Sequence, residues 1–278
     1  MTIGGHLTAA VSLAAISLNL VVWSLALGIL LLARVAGPSM RARSRRLSER
    51  IYRRAVAFDD WCLQRISGVR WRVPELDLHP ERACIVVANH RSWSDVFLLQ
   101  TTFCRRGPII KFLCKRELAY IPVLGLIFVA FDFPIVRRRA RGLTTEDERR
   151  ADDRRRVRDA CTVLHESPAA MLSFAEGTRF TPERGRRLET PYRFLLPPRS
   201  GGFAEIASAL RPLDVPVVDV TIAYPRQTTF WEFLGGAAGE VSVVAERFSV
   251  HEVLEAGPAS WLVDRWHRKD AILAALGA

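Results

Sequence analysis

From Leu7 to Ala33 no side chain carries a charge, and the first charged residue to follow is Arg34. A helix needs about 20 apolar residues to cross the hydrocarbon core of a bilayer at 1.5 Å per residue, so this run is long enough to span. Its surplus length predicts tilting or re-entry. No cationic segment precedes it, and it exceeds the roughly 7 to 15 apolar residues of an ordinary signal core, so an uncleaved anchor is expected over residues 1–35.

Immediately beyond stand Arg34, Arg41, Arg43, Arg45, Arg46, Arg50, Arg53 and Arg54. Basic residues next to a membrane helix stay on the cytoplasmic side, where each contributes about 1 kcal/mol of attraction to anionic headgroups. Residues 36–70 are therefore read as a basic juxtamembrane helix and 71–278 as one globular domain on the cytoplasmic face. The formal charge of +11 comes almost wholly from arginine, because Lys111, Lys115 and Lys269 are the only lysines among 40 basic residues. Such a charge calls for an acidic partner. Anionic lipid fits the apolar run, whereas nucleic acid is not expected, since no aromatic residues are interleaved with a basic groove motif.

Cys62, Cys84, Cys104, Cys114 and Cys161 are odd in number and scattered without a C-x-x-C pair. They predict neither a zinc site nor a disulfide framework, but small buried hydrophobes in a reducing cytosol.

Past residue 70, apolar runs at 83–88, 109–113, 133–136, 170–174, 215–224 and 240–248 alternate with helical patterns at 92–102, 146–166, 202–210 and 259–276. This alternation predicts an α/β domain with a mixed, mostly parallel sheet flanked by helices. The helix from Glu146 is announced by Thr145 and Glu148 at capping-box spacing. Its mixed charges at helical spacing read as a solvated face.

Chemistry concentrates in two stretches. Asn89-His90-Arg91-Ser92-Trp93-Ser94-Asp95 follows the first buried run, at a strand-to-helix turn where α/β folds place their sites. An Asp five residues after the His can return beneath the imidazole, fix its tautomer and stabilise the imidazolium. Alone, the spacing is also that of a helix N-terminus carrying a structural Asp. The second stretch, Phe174-Ala175-Glu176-Gly177-Thr178-Arg179, offers a glycine for close approach, a hydroxyl and a planar guanidinium fork suited to phosphate. No G-x-S-x-G nucleophile motif is present, so the histidine is expected to activate a substrate hydroxyl directly.

These stretches together resemble the glycerolipid acyltransferase family, which includes bacterial 1-acylglycerol-3-phosphate acyltransferase. Asn89, His90 and Asp95 match its first motif. Phe174, Glu176, Gly177, Thr178 and Arg179 match its third, with Ala175 in place of proline, a change bearing more on loop stiffness than on chemistry. Its second region resembles Lys115, Glu117, Leu118, Pro122 and Gly125, followed by Val136-Arg137-Arg138, and its fourth resembles Val215-Pro216-Val217-Val218. The resemblance covers about 83–224 in the family's motif order.

It implies a glycerol-3-phosphate acyltransferase-like fold with His90 and Asp95 as the catalytic pair. Lys115, Arg137, Arg138, Gly177, Thr178 and Arg179 would hold the acceptor's phosphate, Glu176 would orient Arg179 or another donor, and Arg199 would serve as the cation before a helix. Acyl-CoA or acyl carrier protein is the implied co-substrate, with no cofactor and no metal. The implied setting is a bacterial-type inner membrane, with membrane lipids as partners. Lysocardiolipin or lyso-ornithine lipid as acceptor, hydrolysis by the same pair, and a non-catalytic lipid-binding role stay open at this point.

Overall fold

A computed structural model describes residues 1–34, 37–72, 74–105, 107–136 and 145–277. Two long helices, α1 (Ile3–Ala33) and α2 (Pro38–Arg65), precede β1 (Arg70–Arg72), β2 (Cys84–Ala88), α3 (Ser94–Cys104), β3 (Ile110–Phe112) and β4 (Cys114–Lys115). Then come α4 (Pro122–Ala130), β5 (Ile135–Val136), α5 (Glu146–Cys161), α6 (Val163–Glu166), β6 (Ala170–Phe174) and α7 (Pro182–Arg187). The chain closes with α8 (Ser200–Leu210), β7 (Pro216–Ala223), α9 (Phe230–Leu234), β8 (Glu240–Ser249), α10 (Val250–Glu255) and α11 (Pro258–Ala275).

Six strands form one sheet in the order β1-β8-β7-β2-β6-β3, and β4 pairs with β5 in a small second sheet. Neighbours run parallel except β7 with β8, so the sheet is mixed and mostly parallel, as the alternation predicts. β2 sits between β6 and β7 and is buried on both faces, which is why it reads as an unbroken apolar run. Ile85 and Val87 join the cluster containing Phe203 and Trp266 from α8 and α11, while Cys84, Val86 and Ala88 join that of Leu98, Leu99 and Phe103 from α3. Asp219 is tolerated inside β7 because Lys269 and Arg265 of α11 both pair with it, at 2.6 and 2.7 Å.

Two sequence expectations are refined. The capping box of Thr145 and Glu148 forms, but the predicted helix over 146–166 breaks at Thr162, whose hydroxyl donates to Asp159 O at 2.7 Å and competes with the helical ladder. The helix predicted from Ala259 begins one residue earlier at Pro258, a residue suited to the first helical position.

α1 and α2 run antiparallel. Ser12 meets Ser67 at 2.9 Å, Asn19 donates to Ala55 O and to Asp59 Oδ1, and Ser44 donates to Leu30 O. Both ends of α1 also touch the globular body, since Trp231 of α9 donates to His6 Nδ1 and Arg34 donates to Ala130 O at the end of α4. α2 is fastened to the same body by Arg53, which donates to Cys104 O and Gly107 O.

Candidate active site

The site is built where β2, β6 and β7 end. Asn89, the first residue beyond β2, exchanges two hydrogen bonds with the backbone of Ile222 in β7, fixing where the next turn starts. His90 follows with its ring stacked on Phe174 from the end of β6, centroids 4.0 Å apart. Its Nδ1 lies 2.8 Å from Asp95 Oδ2, so the Asp does return beneath the ring. That oxygen also accepts from the backbone N–H of Arg91 at 2.7 Å and Ser92 at 2.9 Å. A carboxylate accepting two backbone N–H groups is an acceptor toward the ring as well, so Nδ1 carries the hydrogen and Nε2 the lone pair. Nε2 has no hydrogen-bond partner among the described residues, and the side chain keeps 15% of its surface exposed.

Asp95 itself is fully buried. Its remaining oxygen is taken by Tyr224, just past β7, whose hydroxyl donates to Oδ1 at 2.6 Å and lies 3.0 Å from Ser94 Oγ. Burial and the adjacent carboxylate push the Tyr224 phenol well above its ordinary range, so it stays a donor. Sequence reasoning missed Tyr224. The available signal was a tyrosine closing a buried apolar run, since a buried phenol needs an acceptor.

Both serines of the turn are engaged. Ser92 Oγ accepts from Ser94 N, and Ser94 meets Tyr224, so neither is presented as a nucleophile. Within residues 90–96, Trp93 N is the one backbone N–H without an acceptor among the described residues.

Of the partners expected for Glu176, Arg179 or another donor, the structure shows the second. Instead of orienting Arg179, its buried carboxylate accepts from His90 N through Oε1 and from Leu196 N through Oε2, both at 2.9 Å. It thereby ties the turn after β2 to the loop before α8, and burial pushes its pKa up to about 7 against the two donors. Phe180 N adds a further tie by donating to His90 O at 2.7 Å.

Arg179 lies over the exposed ring of Trp93, 5.5 Å from its centroid, so the guanidinium plane is held beside the His90 turn by an aromatic face. Gly177 has φ +68°, and a Cβ there would sit 3.3 Å from Arg199 Cδ. Only glycine suits that backbone while letting the Arg199 side chain cross it. Arg199 stands at the cap of α8, and its N–H donates to Ala175 O. His90, Glu176, Gly177, Thr178, Arg179 and Arg199 are thus brought into adjoining loops, beside Asp95 in the first turn of α3.

Lys115 lies in β4, opposite Val136 of β5, on the second sheet. Arg137 and Arg138 fall outside the described residues. Gly125 of the same region has a packing reason, since a Cβ there would lie 2.1 Å from Ala119 O.

The Acyltransferase family model matches residues 70–223, more than half of the chain. The 1-acyl-sn-glycerol-3-phosphate acyltransferase gamma of Mus musculus is 26% identical over 255 residues, which cover 81% of this chain and 65% of that protein. The delta enzyme of Bos taurus is 28% identical over 205 residues, covering 67% of this chain and 51% of its own length. The chain thus spans no more than about two-thirds of these relatives. In fold it is similar to the 1-acyl-sn-glycerophosphate acyltransferase of Thermotoga maritima, with a TM-score of 0.53 at 18% identity, covering 94% of this chain and 98% of the other.

Proposed function

Because the chain belongs to the Acyltransferase family, we propose that it transfers a fatty acyl group from an acyl thioester to the free hydroxyl of a lysophospholipid. The acceptor in this reading is 1-acyl-sn-glycerol-3-phosphate, and the product is phosphatidic acid. One observation carries it: an imidazole fixed as a base by a buried carboxylate adjoins the Gly177 loop, which bears Arg179 and is crossed by the Arg199 side chain.

His90 Nε2 takes the proton as the hydroxyl oxygen attacks the thioester carbonyl. The tetrahedral intermediate expels the thiolate of acyl-CoA or acyl carrier protein, which takes the proton back from the imidazolium. Asp95 acts by stabilising the charged ring, and Tyr224 and the two N–H donors hold Asp95 in place. The backbone N–H groups of Arg91 and Ser92 are already engaged, so within this turn the oxyanion donor is assigned to Trp93 N. Arg179 and Arg199 hold the acceptor's phosphate, joined by Lys115, Arg137 and Arg138 from the second region.

The chain works at a membrane, and α1 is its anchor. It is the one described helix long and apolar enough to cross a bilayer, with a mean hydropathy of 2.3 over its best window. Yet it is bonded along its length to α2, which carries Arg43, Arg46, Glu49 and Arg50, and both its ends touch the globular body. Charged side chains at the bilayer centre are costly, at roughly 2.5 to 3.5 kcal/mol each on insertion scales. We therefore read residues 1–35 as lying within the cytoplasmic leaflet, with exposed Leu18, Leu25, Ile29 and Leu32 toward the acyl chains. α2 is then the basic interfacial helix and the domain from β1 onward the catalytic domain, on the cytoplasmic face of a bacterial-type inner membrane.

The test is product analysis of full-length protein incubated with mixed lysolipids and labelled acyl-CoA or acyl carrier protein. Labelled phosphatidic acid is expected. Free fatty acid released without any lysolipid would identify a hydrolase instead. Arg179→Ala is expected to raise the apparent KM for the acceptor roughly tenfold with little change in kcat, as for loss of a charged hydrogen bond to phosphate. An unchanged KM would remove Arg179 from phosphate binding.

A further inference from the structure

At the C-terminal end of α1, Arg34, Arg41, Ala42, Arg45 and Asp132 line a cavity of about 460 Å³. Asp132 is shared by Arg34 Nη1 at 3.5 Å and Arg45 Nε at 3.2 Å. The other bonds of these arginines go to neutral groups. Arg34 donates to Ala130 O and Ser44 Oγ, Arg41 to Arg34 O, and Arg45 to Glu166 O. Behind them Lys111 is fully buried and donates to Asp132 O and to Ser167. Burial draws the Lys111 pKa down to about 8; Asp132 and Glu49 oppose that shift and Arg45 reinforces it.

Three guanidinium groups therefore share one lining carboxylate, Asp132, with Arg34 retaining 16% exposure and Arg45 44%. Partly dehydrated positive charge without a counter-charge is unfavourable, so the cavity favours an anion. Guanidinium forks match phosphate oxygens in particular. Neighbouring chain supplies the second half of the recognition: Val129 of α4, whose carbonyl accepts from Arg34, and Leu32, two residues before Arg34, are large apolar side chains left 53% and 76% exposed. An anion with a long apolar tail satisfies both surfaces.

We propose that the cavity between Arg34, Arg41 and Arg45 binds the phosphate headgroup of an anionic membrane glycerophospholipid, whose acyl chains lie along Leu32 and Val129. None of its lining residues belongs to the His90 site, so the site stands independently of the acyl-transfer reading.

Native mass spectrometry of the full chain in detergent, titrated separately with phosphatidylglycerol, phosphatidylcholine and inorganic phosphate, tests it. Wild type is expected to take up phosphatidylglycerol in preference to phosphatidylcholine. The double variant Arg41→Ala/Arg45→Ala should weaken that binding roughly 30-fold. Asp132→Asn should tighten it by removing the competing carboxylate, an effect that mere loss of structure cannot produce. Arg41→Ala alone, which gives up one bond to a backbone oxygen, should show part of the loss with an unchanged melting temperature. The control Arg43→Ala/Arg46→Ala changes the same helix outside the cavity and should weaken binding far less than Arg41→Ala/Arg45→Ala. Equal weakening by both double variants would reduce the effect to diffuse surface charge and overturn the site. Displacement of lipid by inorganic phosphate at equal concentration would assign the cavity to a free anion and overturn the lipid.

Discussion

His90→Ala is expected to lower acyl transfer by a factor on the order of 10³, within the range lost with a positioned general base. The variant should fold. The backbone of residue 90 keeps its bonds to Glu176 and from Phe180, and the lost ring was partly exposed. Asp95 keeps three of its four donors, Arg91 N, Ser92 N and Tyr224, so no carboxylate is stranded in the interior. The measurement is the initial rate of labelled product in membranes, alongside a melting curve. Near-normal turnover in a folded variant would remove His90 as the base, because no other group of the turn is placed to act: both serines are occupied and Tyr224 is held as a donor.

Much of this frame was legible because it is recorded locally. β2 and β6 are buried on both faces and so read as continuous apolar runs, and β7 reads as a strand even with Asp219 and Thr221 inside it. The His90–Asp95 contact was legible too, since a separation of five across a strand-to-helix turn can close without help from elsewhere. What stayed hidden depends on partners far along the chain. Tyr224 reaches Asp95 across 129 positions and Glu176 reaches His90 across 86, and nothing in either local sequence names the partner.

The packing of α1 was half legible for a related reason. Hydropathy identifies α1 as a long apolar helix, but it is bonded to α2 by Asn19 and to Ser67 just beyond α2 by Ser12, single polar residues that barely change a mean over the helix. Arg53 likewise reads as a headgroup contact from sequence, yet it makes internal bonds to the backbone carbonyls of Cys104 and Gly107. Clustered charge in a sequence does not distinguish a solvated helix from one that uses its arginines as long tethers.

Asp95→Asn discriminates between two ways in which the carboxylate could serve His90. If the amide nitrogen faced the ring, it would force the imidazole into its other tautomer, a fault that costs about 10⁴ in the serine protease triad. The donors around residue 95 select against that orientation. Arg91 N and Ser92 N both point at the Oδ2 position, so an oxygen must remain there and the amide nitrogen must take the place of Oδ1. Tyr224 can then rotate its hydroxyl to accept from the amide and donate to Ser94 Oγ, leaving no buried group unpaired. His90 keeps its tautomer and loses only the negative charge beneath the imidazolium. The expected fall in kcat is on the order of 10², the scale of one hydrogen bond to a charged group. A fall of about 10³, as for His90→Ala, would mean that the tautomer had switched and the base was lost, and an unchanged kcat would mean that the buried carboxylate supports the turn without supporting the base. Tyr224→Phe in the same assay separates the two parts of the arrangement. It keeps the charge and removes one donor, so its loss should be smaller, whereas in the Asp95→Asn background it should be larger, because the amide would then have no acceptor.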